Sequence, residues 1–288
     1  MKALIERVER FFDGRRTEGY EVVRPVEGMA LLRCAAPTPL DADLYEPVVC
    51  LILQGEKETI AGDVTVRPRA GQSLVVSHDL PIMSRITVAR PDAPYLAIVL
   101  TLDVALLRSL YDEVGEVAHE GAATSLALHE AGPRLMDVLG RYLALADDPL
   151  EAKVLLPHVR REVHFRLLMA PHGGMLRRLL RYDSHASSVA SAIDHIREHF
   201  RGAIPAPELA RVVGMSTSSL YKHFKQVTST TPLQYQKELR LLEARKLLRA
   251  GAESVSNVAW DVGYESPNQF SREYSRKFGV SPREHLAP

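Results

Sequence analysis

Cysteine is scarce in this chain: Cys34 and Cys50 are the only two among 288 residues, and no Cys-x-x-Cys spacing occurs. That excludes a disulfide scaffold and a thiolate metal cluster, and it suits a reducing compartment. No apolar run approaches the ~18 residues of a membrane-spanning helix. The first ten residues carry Glu6, Arg7, Glu9 and Arg10, where a secretory leader would need an apolar core. A soluble, cytoplasmic chain without a membrane partner is therefore expected. Net charge is absent too, with 36 Lys+Arg against 36 Asp+Glu. A Gly-x-Ser-x-Gly nucleophile turn is missing, and neither cysteine has a histidine partner identifiable from sequence.

What is present is uneven. Residues 184–288 hold 14 basic against 10 acidic side chains, and residues 1–183 hold 22 against 26. A mildly basic end suits an approach to phosphates, although four charges are a weak signal. Leu4, Ile5, Val8, Phe11 and Phe12 fall on one helical face and predict an amphipathic helix at the start. Short β-branched runs follow at Val48–Leu53, Glu58–Ile60, Val64–Val66, Ser73–Val76, Ile82–Val88 and Tyr95–Leu100, with Gly62-Asp63 as a tight turn. Such spacing reads as a small barrel or sandwich. Helical periodicity then takes over at Leu135, Val138, Leu139, Tyr142, Leu143 and Ala146, and again at Leu155, Val159 and Val163. These stripes pack either on the barrel or on a second copy of the chain. His172-Gly-Gly174 breaks the pattern, and Arg181 to Ser187 reads as a hinge.

The last hundred residues contain an internal repeat. Leu209-Ala210, Gly214, Ser216, Leu220, Phe224 and Thr231-Pro232 form one copy. Ala259, Gly263, Ser266, Phe270, Tyr274 and Ser281-Pro282 recur 49 to 50 positions later. In each copy a small Ala lets a second helix cross closely, and the Gly supplies the left-handed turn that ends the first helix. Ser216 and Ser266 are N-caps for the second helix, and Pro267 suits its first position. With Leu220 and Phe224, or Phe270 and Tyr274, turned inward, the outer face keeps Ser218, Tyr221, Lys222 and Lys225, or Asn268, Ser271, Arg272 and Arg276. Hydrogen-bonding and cationic side chains on a helix-turn-helix second helix are what major-groove readout needs. Between the copies a long helix carries Arg240, Arg245, Lys246 and Arg249, available to phosphates. An all-helical interaction domain without a DNA partner is the competing reading.

The repeat resembles the C-terminal domain of AraC/XylS-type transcription regulators. The match runs through Val258 to Pro282, Glu208 to Gln236 and the linker Arg240-Leu-Leu-Glu-Ala-Arg-Lys-Leu-Leu248. It implies that two recognition helices enter successive major grooves of double-stranded DNA. Ser218, Tyr221, Lys222, Asn268, Ser271 and Arg272 would then read bases, unless Tyr221 packs against the scaffold. Asn268 stands where Ser is common, and Ser229 replaces a frequent Gly. Leu44 to Gly55, Gly71, Asp79-Leu-Pro81 and Pro94-Tyr-Leu96 resemble the cupin-like sensor domain of one AraC subgroup, and Pro157 to Leu168 its following segment.

The fold class expected is thus α+β: a cupin-like β-barrel with its N-terminal helix over 1–115, a helical dimerisation or linker segment over 116–183, and an all-α domain with two helix-turn-helix units over 184–288. The resemblance implies a transcription regulator, with activator and repressor both open, RNA polymerase as partner, and effector sensing by a small molecule or homodimer formation. The rival function is a cupin-type enzyme with a helical tail. Metal-dependent cupins use two or three histidines and a carboxylate, whereas Pro37–Leu100 contains only His78, read as a turn residue. His158, His164 and His172, spaced by six and eight, do not share a helical face. No catalytic residue, metal or cofactor is expected. Cys50 reads as inert core, and Cys34, ahead of a Pro-rich stretch, as a candidate exposed thiol.

Overall fold

The computed structural model describes residues 1–14, 19–115, 124–170, 173–181 and 184–286. The chain opens with α1 (Lys2–Arg10), whose Leu4 and Val8, with Phe12 just beyond, are buried as their spacing predicts. Ten strands follow among the described residues: β1 (Tyr20–Val26), β2 (Met29–Cys34), β3 (Asp41–Tyr45), β4 (Val48–Gln54), β5 (Glu56–Ala61), β6 (Val64–Val66), β7 (Gln72–Val76), β8 (Leu80–Val88), β9 (Tyr95–Thr101) and β10 (Leu126–Glu130). They build two antiparallel sheets, ordered β1-β2-β9-β4-β7-β10 and β3-β8-β5-β6. Pairing of β10 with β7 carries the larger sheet past residue 115, into the stretch that sequence placed in the helical segment.

The larger sheet is covered on both faces, which is why β4 is apolar at nearly every position rather than at alternate ones. Cys50 and Ile52 point between the sheets with Cys34, Ile86 and Tyr95. Val49, Leu51 and Leu53 point the other way, into a core built with the helices that follow. These are α2 (Val104–Val114), α3 (Pro133–Ala144), a single 3-10 turn (Leu145–Asp147), α4 (Pro149–Met169) and α5 (Gly173–Leu180). Leu135, Val138, Leu139, Tyr142, Leu143, Val159 and Val163 all join this core, so barrel packing accounts for most of the predicted stripes. Leu155 does not: it lies exposed with Leu150 and Val154 on the first turns of α4. α4 ends at Met169 and α5 begins at Gly173, so Gly173 and Gly174 open a helix where the sequence pattern predicts a break; His172 lies outside the described residues, as do Tyr182 and Asp183 of the hinge.

Cys34 corrects an expectation. It is 1% exposed, and its thiol donates to the Ala36 carbonyl at 3.1 Å, so it is a core residue and not an accessible nucleophile. His164 is buried as well. Its Nε2 accepts from the Asp103 amide at 2.8 Å, which leaves Nδ1 to donate to the Arg160 carbonyl at 2.7 Å, so the ring ties α4 to the start of α2.

The C-terminal helices are α6 (His185–His199), α7 (Ala206–Val212), α8 (Thr217–Thr228), α9 (Pro232–Arg249), α10 (Val255–Asp261), α11 (Pro267–Phe278) and α12 (Pro282–His285). The first unit shares one core with the barrel: Val189, Ile193, Leu220, Phe224, Tyr235 and Leu239 cluster with Ala61, Val76, Leu80 and Ile82. The second unit has a core of its own around Leu248, Ala259, Phe270 and Tyr274.

His78 sits in the bend between β7 and β8, as a turn residue should, but buried beneath α6. Its Nδ1 lies 2.8 Å from the Ser77 hydroxyl and 3.2 Å from that of Ser125, and burial pushes its pKa down to about 4. The unfolded chain would protonate it near pH 6.5. Its share of stability is therefore complete above that value and is lost as pH falls toward 4, an amount of about 3 kcal/mol. Chemical denaturation at pH 7 and pH 4.5 should show this loss in the parent chain, and His78→Gln should reduce the difference.

Candidate nucleic-acid interface and interdomain pocket

Each short helix pair closes as its sequence directs. Gly214 and Gly263 adopt φ of 67° and 90° where α7 and α10 end. A Cβ at Gly263 would collide with the Arg201 carbonyl, so both conformation and space require glycine there. The Ser216 and Ser266 hydroxyls accept from the amides of Ser219 and Gln269 at 3.2 and 3.3 Å, capping α8 and α11. Pro267 takes the first turn of α11. Ser229 ends α8 in the left-handed region at φ 59°, where the second unit uses Gly279 at 73°. The substitution thus keeps the turn at a conformational cost.

With Leu220, Phe224, Phe270 and Tyr274 buried, the opposite faces open to solvent. Ser218, Tyr221, Lys222 and Lys225 are exposed on α8; Asn268, Arg272 and Arg276 are exposed on α11, and Ser271 is half-buried. Tyr221 is 36% exposed, so it is not part of the scaffold core. Lys225 is partly engaged, 3.4 Å from Asp63 at the β5–β6 turn of the barrel. Both side chains are largely exposed, and a pair of that kind contributes about 0–1 kcal/mol. A phosphate could displace Asp63 at little cost.

The basic residues of α9 divide differently from expectation. Lys246 and Arg249 are exposed. Arg245 is buried instead, donating to the Asp41 carboxylate and the Ala42 carbonyl of β3, and Arg240 is committed to backbone carbonyls. Helical position alone placed all four alike; what separates them is the barrel edge lying against Arg245 and the carbonyls of neighbouring helix ends around Arg240, which no local pattern reveals.

A second feature was not legible from sequence. Between β3, β8 and the second unit lies a cavity of about 530 Å³, lined by Tyr20, Tyr45, Lys57, Tyr95, Arg245, Arg249 and His285 with apolar Leu40, Met83, Phe278 and Val280. Lys57 is only 6% exposed, and its ammonium donates to the Tyr45 hydroxyl. No carboxylate pairs with it among the described residues. Burial works against its charge, and the Tyr45 phenol supports it. The Tyr95 hydroxyl is buried beside the Cys50 thiol without a partner of hydrogen-bonding geometry. Burial pushes both groups up, so each stays protonated. The cavity, whose rim also carries Asp41 and Asp43, therefore offers an ammonium with no carboxylate at salt-bridge distance among the described residues and a hydroxyl without a hydrogen-bond partner. The described residues contain no group of three or more metal-ligating side chains, and no helix among them is long and apolar enough to cross a membrane.

Comparison with known proteins bears on both halves. Residues 25–175 match the AraC-type transcriptional regulator N-terminus family, and residues 209–287 match a helix-turn-helix domain family. The transcriptional activator RhaS of Escherichia fergusonii is 38% identical over 89 residues, 31% of this chain and 32% of that protein. RhaS of Escherichia coli O139:H28 is 32% identical over 102 residues, 35% and 37% of the two chains. The chain thus matches about a third of the length of these relatives. Among solved structures, unsaturated fatty acid bound ToxT from Vibrio cholerae strain SCE256 superposes with a TM-score of 0.56 at 12% identity, covering 94% of this chain and 96% of that one. ToxT from Vibrio cholerae O395 bound to (E)-4-(8-methylnaphthalen-1-yl)but-3-enoic acid gives 0.58 at 12%, covering 93% and 98%. The likeness extends over barrel, helices and both helix-turn-helix units and establishes a shared fold. A family match over more than half the chain, followed by the paired units in the expected order, makes this protein a member of the AraC-type transcriptional regulators.

Proposed function

We propose that the chain is a ligand-responsive, sequence-specific DNA-binding transcription regulator. The observation that carries this is the paired display of α8 and α11, each capped by Ser and each presenting exposed hydrogen-bonding and cationic side chains. Ser218, Tyr221, Lys222, Asn268, Ser271 and Arg272 read base edges in successive major grooves, and Lys225 and Arg276 lie further along each helix toward phosphates. Activation follows the role of the RhaS relatives, which are transcriptional activators, with RNA polymerase as the protein partner. Because the family is one of regulators, the cupin-enzyme reading has no support left.

Arg272→Ala should cost about 1–3 kcal/mol on a preferred duplex, recovered by selection from a random pool, and should relax preference at one position. Equal losses on selected and random duplexes, measured by gel shift, would remove the base-reading role.

The effector is an amphipathic monocarboxylate held in the interdomain cavity, its head on Lys57 and the Tyr95 hydroxyl. The solved ToxT complexes, one with a fatty acid and one with a butenoic acid, accord with a ligand of this class. Charge-assisted hydrogen bonds contribute about 1.5–3 kcal/mol, so Lys57→Met should weaken binding of an unsaturated fatty acid roughly 10- to 100-fold. Calorimetry would read the loss. Unchanged affinity in the folded variant would exclude the assignment.

Homodimer formation is placed on the first turns of α4, where Leu150, Val154 and Leu155 are 74%, 60% and 38% exposed. Val154→Glu should shift sedimentation from dimer to monomer and leave the thermal transition nearly unchanged, since the residue touches no core.

A further inference from the structure

We infer that Arg240 is the positioning residue that locks the two helix-turn-helix units into one fixed spacing. The inference rests on the DNA-binding reading above for its consequence, but not for its geometry. Arg240 projects from the middle of α9 into the seam between the units. Its Nε donates to the Phe200 carbonyl at 2.6 Å, and its Nη2 to the carbonyls of Gly202 at 2.7 Å and Arg201 at 3.3 Å, all just past the end of α6 in the first unit. Its Nη1 donates to the Gly263 carbonyl at 2.8 Å, in the turn between α10 and α11 of the second unit. One planar guanidinium thus joins the loose carbonyls of both units at once.

The surroundings make that joint specific. Helices leave their last carbonyls without partners, and Arg240 supplies one at the Phe200 cap of α6 and others in the loop that follows. Gln236, one turn earlier on α9, donates to the Phe200 and Gly202 carbonyls at 2.9 and 2.7 Å, which fixes the same loop from a second side. The loop is pressed against the second unit so closely that a Cβ at Gly263 would strike the Arg201 carbonyl. The Tyr264 ring, 5.9 Å from the guanidinium carbon, closes the site. Lysine cannot replace this arrangement, because its donors radiate from a single nitrogen and cannot span carbonyls on opposite sides of the seam.

Without Arg240, the first unit would remain packed on the barrel and the second on its own core. Their relative orientation would rest on α9 itself and on the ion pairs Lys237–Glu273 and Lys277–Glu238. A duplex that must receive α8 and α11 together benefits from a fixed spacing, because the second contact then forms at high effective concentration.

The full chain can be tested with nitroxide labels on Glu208→Cys in α7 and Ser256→Cys in α10, both exposed, while Cys34 and Cys50 stay buried. Double electron–electron resonance should give one narrow distance in the parent and a broadened one in Arg240→Leu and in Arg240→Lys, with circular dichroism unchanged. On the duplex selected from a random pool, affinity should fall about ten-fold, while binding to a duplex that keeps only one half of that site should not change. A narrow, unshifted distance in either folded variant overturns the inference. If Arg240→Leu does not fold, Arg240→Lys decides by the same distance. A parent chain that shows the broadening on substitution yet prefers no DNA sequence would defeat the DNA-binding reading and leave the role of Arg240 standing.

Discussion

A sheet that is apolar on both faces has to be covered twice, and how this chain covers its barrel governs the placement of everything else. The outward face of the six-stranded sheet takes α1 to α5. A separate patch at Ala61, Val76, Leu80 and Ile82 takes the first helix-turn-helix unit, so that sensor and reader share a continuous core. Polar contacts border that patch. Arg197 pairs with the Asp79 carboxylate, and the Tyr235 hydroxyl donates to the Asp79 carbonyl at 2.7 Å. The Ser125 amide donates to the Val227 carbonyl at 2.7 Å, near the end of α8. Burial of apolar area supplies the energy, and these hydrogen bonds satisfy groups that the docking would otherwise strand.

The two reader units are consequently unequal. The first is anchored to the barrel by side chains that neither half could leave exposed without loss. The second has a self-contained core in which Tyr264, Phe270, Tyr274 and Phe278 meet edge-on or tilted at successive ring separations of 5.3, 5.4 and 4.5 Å. It reaches the rest of the molecule through α9 and through a few directed polar contacts. Directed contacts are short in range and geometrically strict, so they can be broken one at a time, whereas a shared apolar core yields only as a whole.

Much of this was legible in the sequence because it is local. Gly214, Gly263, Ser216 and Ser266 announce their turns and caps within a few residues, and the six strand runs with β-branched or aromatic residues all became strands. The strands that escaped have physical reasons for doing so. β2 reads Met-Ala-Leu-Leu-Arg-Cys, residues that favour helices, and it becomes a strand only because β1 and β9 flank it. β1, β3 and β10 lie at sheet edges, where polar side chains such as Asp41 and Asp43 blunt the apolar signal. The interdomain cavity was invisible for a stronger reason. Lys57, Tyr95 and Arg245 come from β5, β9 and α9, and no spacing rule relates positions that meet only after both domains dock. Arg240, which meets carbonyls of its own helical domain, and Arg245, which meets the barrel, likewise look on the helix like their exposed neighbours Lys246 and Arg249.

Arg245 connects these observations. It is 8% exposed, it holds Asp41 and Ala42 of β3, and it forms part of the cavity wall opposite Lys57. Five residues before it on the same helix, Arg240 grips both reader units. The Asp41 side chain is 62% exposed, so water screens this pair and the contact of Arg245 with the barrel edge can yield when the cavity changes. In the proposed reading the ligand's carboxylate is held by Lys57 and its apolar body fills the cavity toward the Arg245 wall, and it can shift the balance only by its difference in affinity between the docked and undocked arrangements. Since α9 is continuous from Pro232 to Arg249, a change of partner at Arg245 bears on the helix that carries Arg240. In that reading, ligand occupancy and reader geometry meet on one helix.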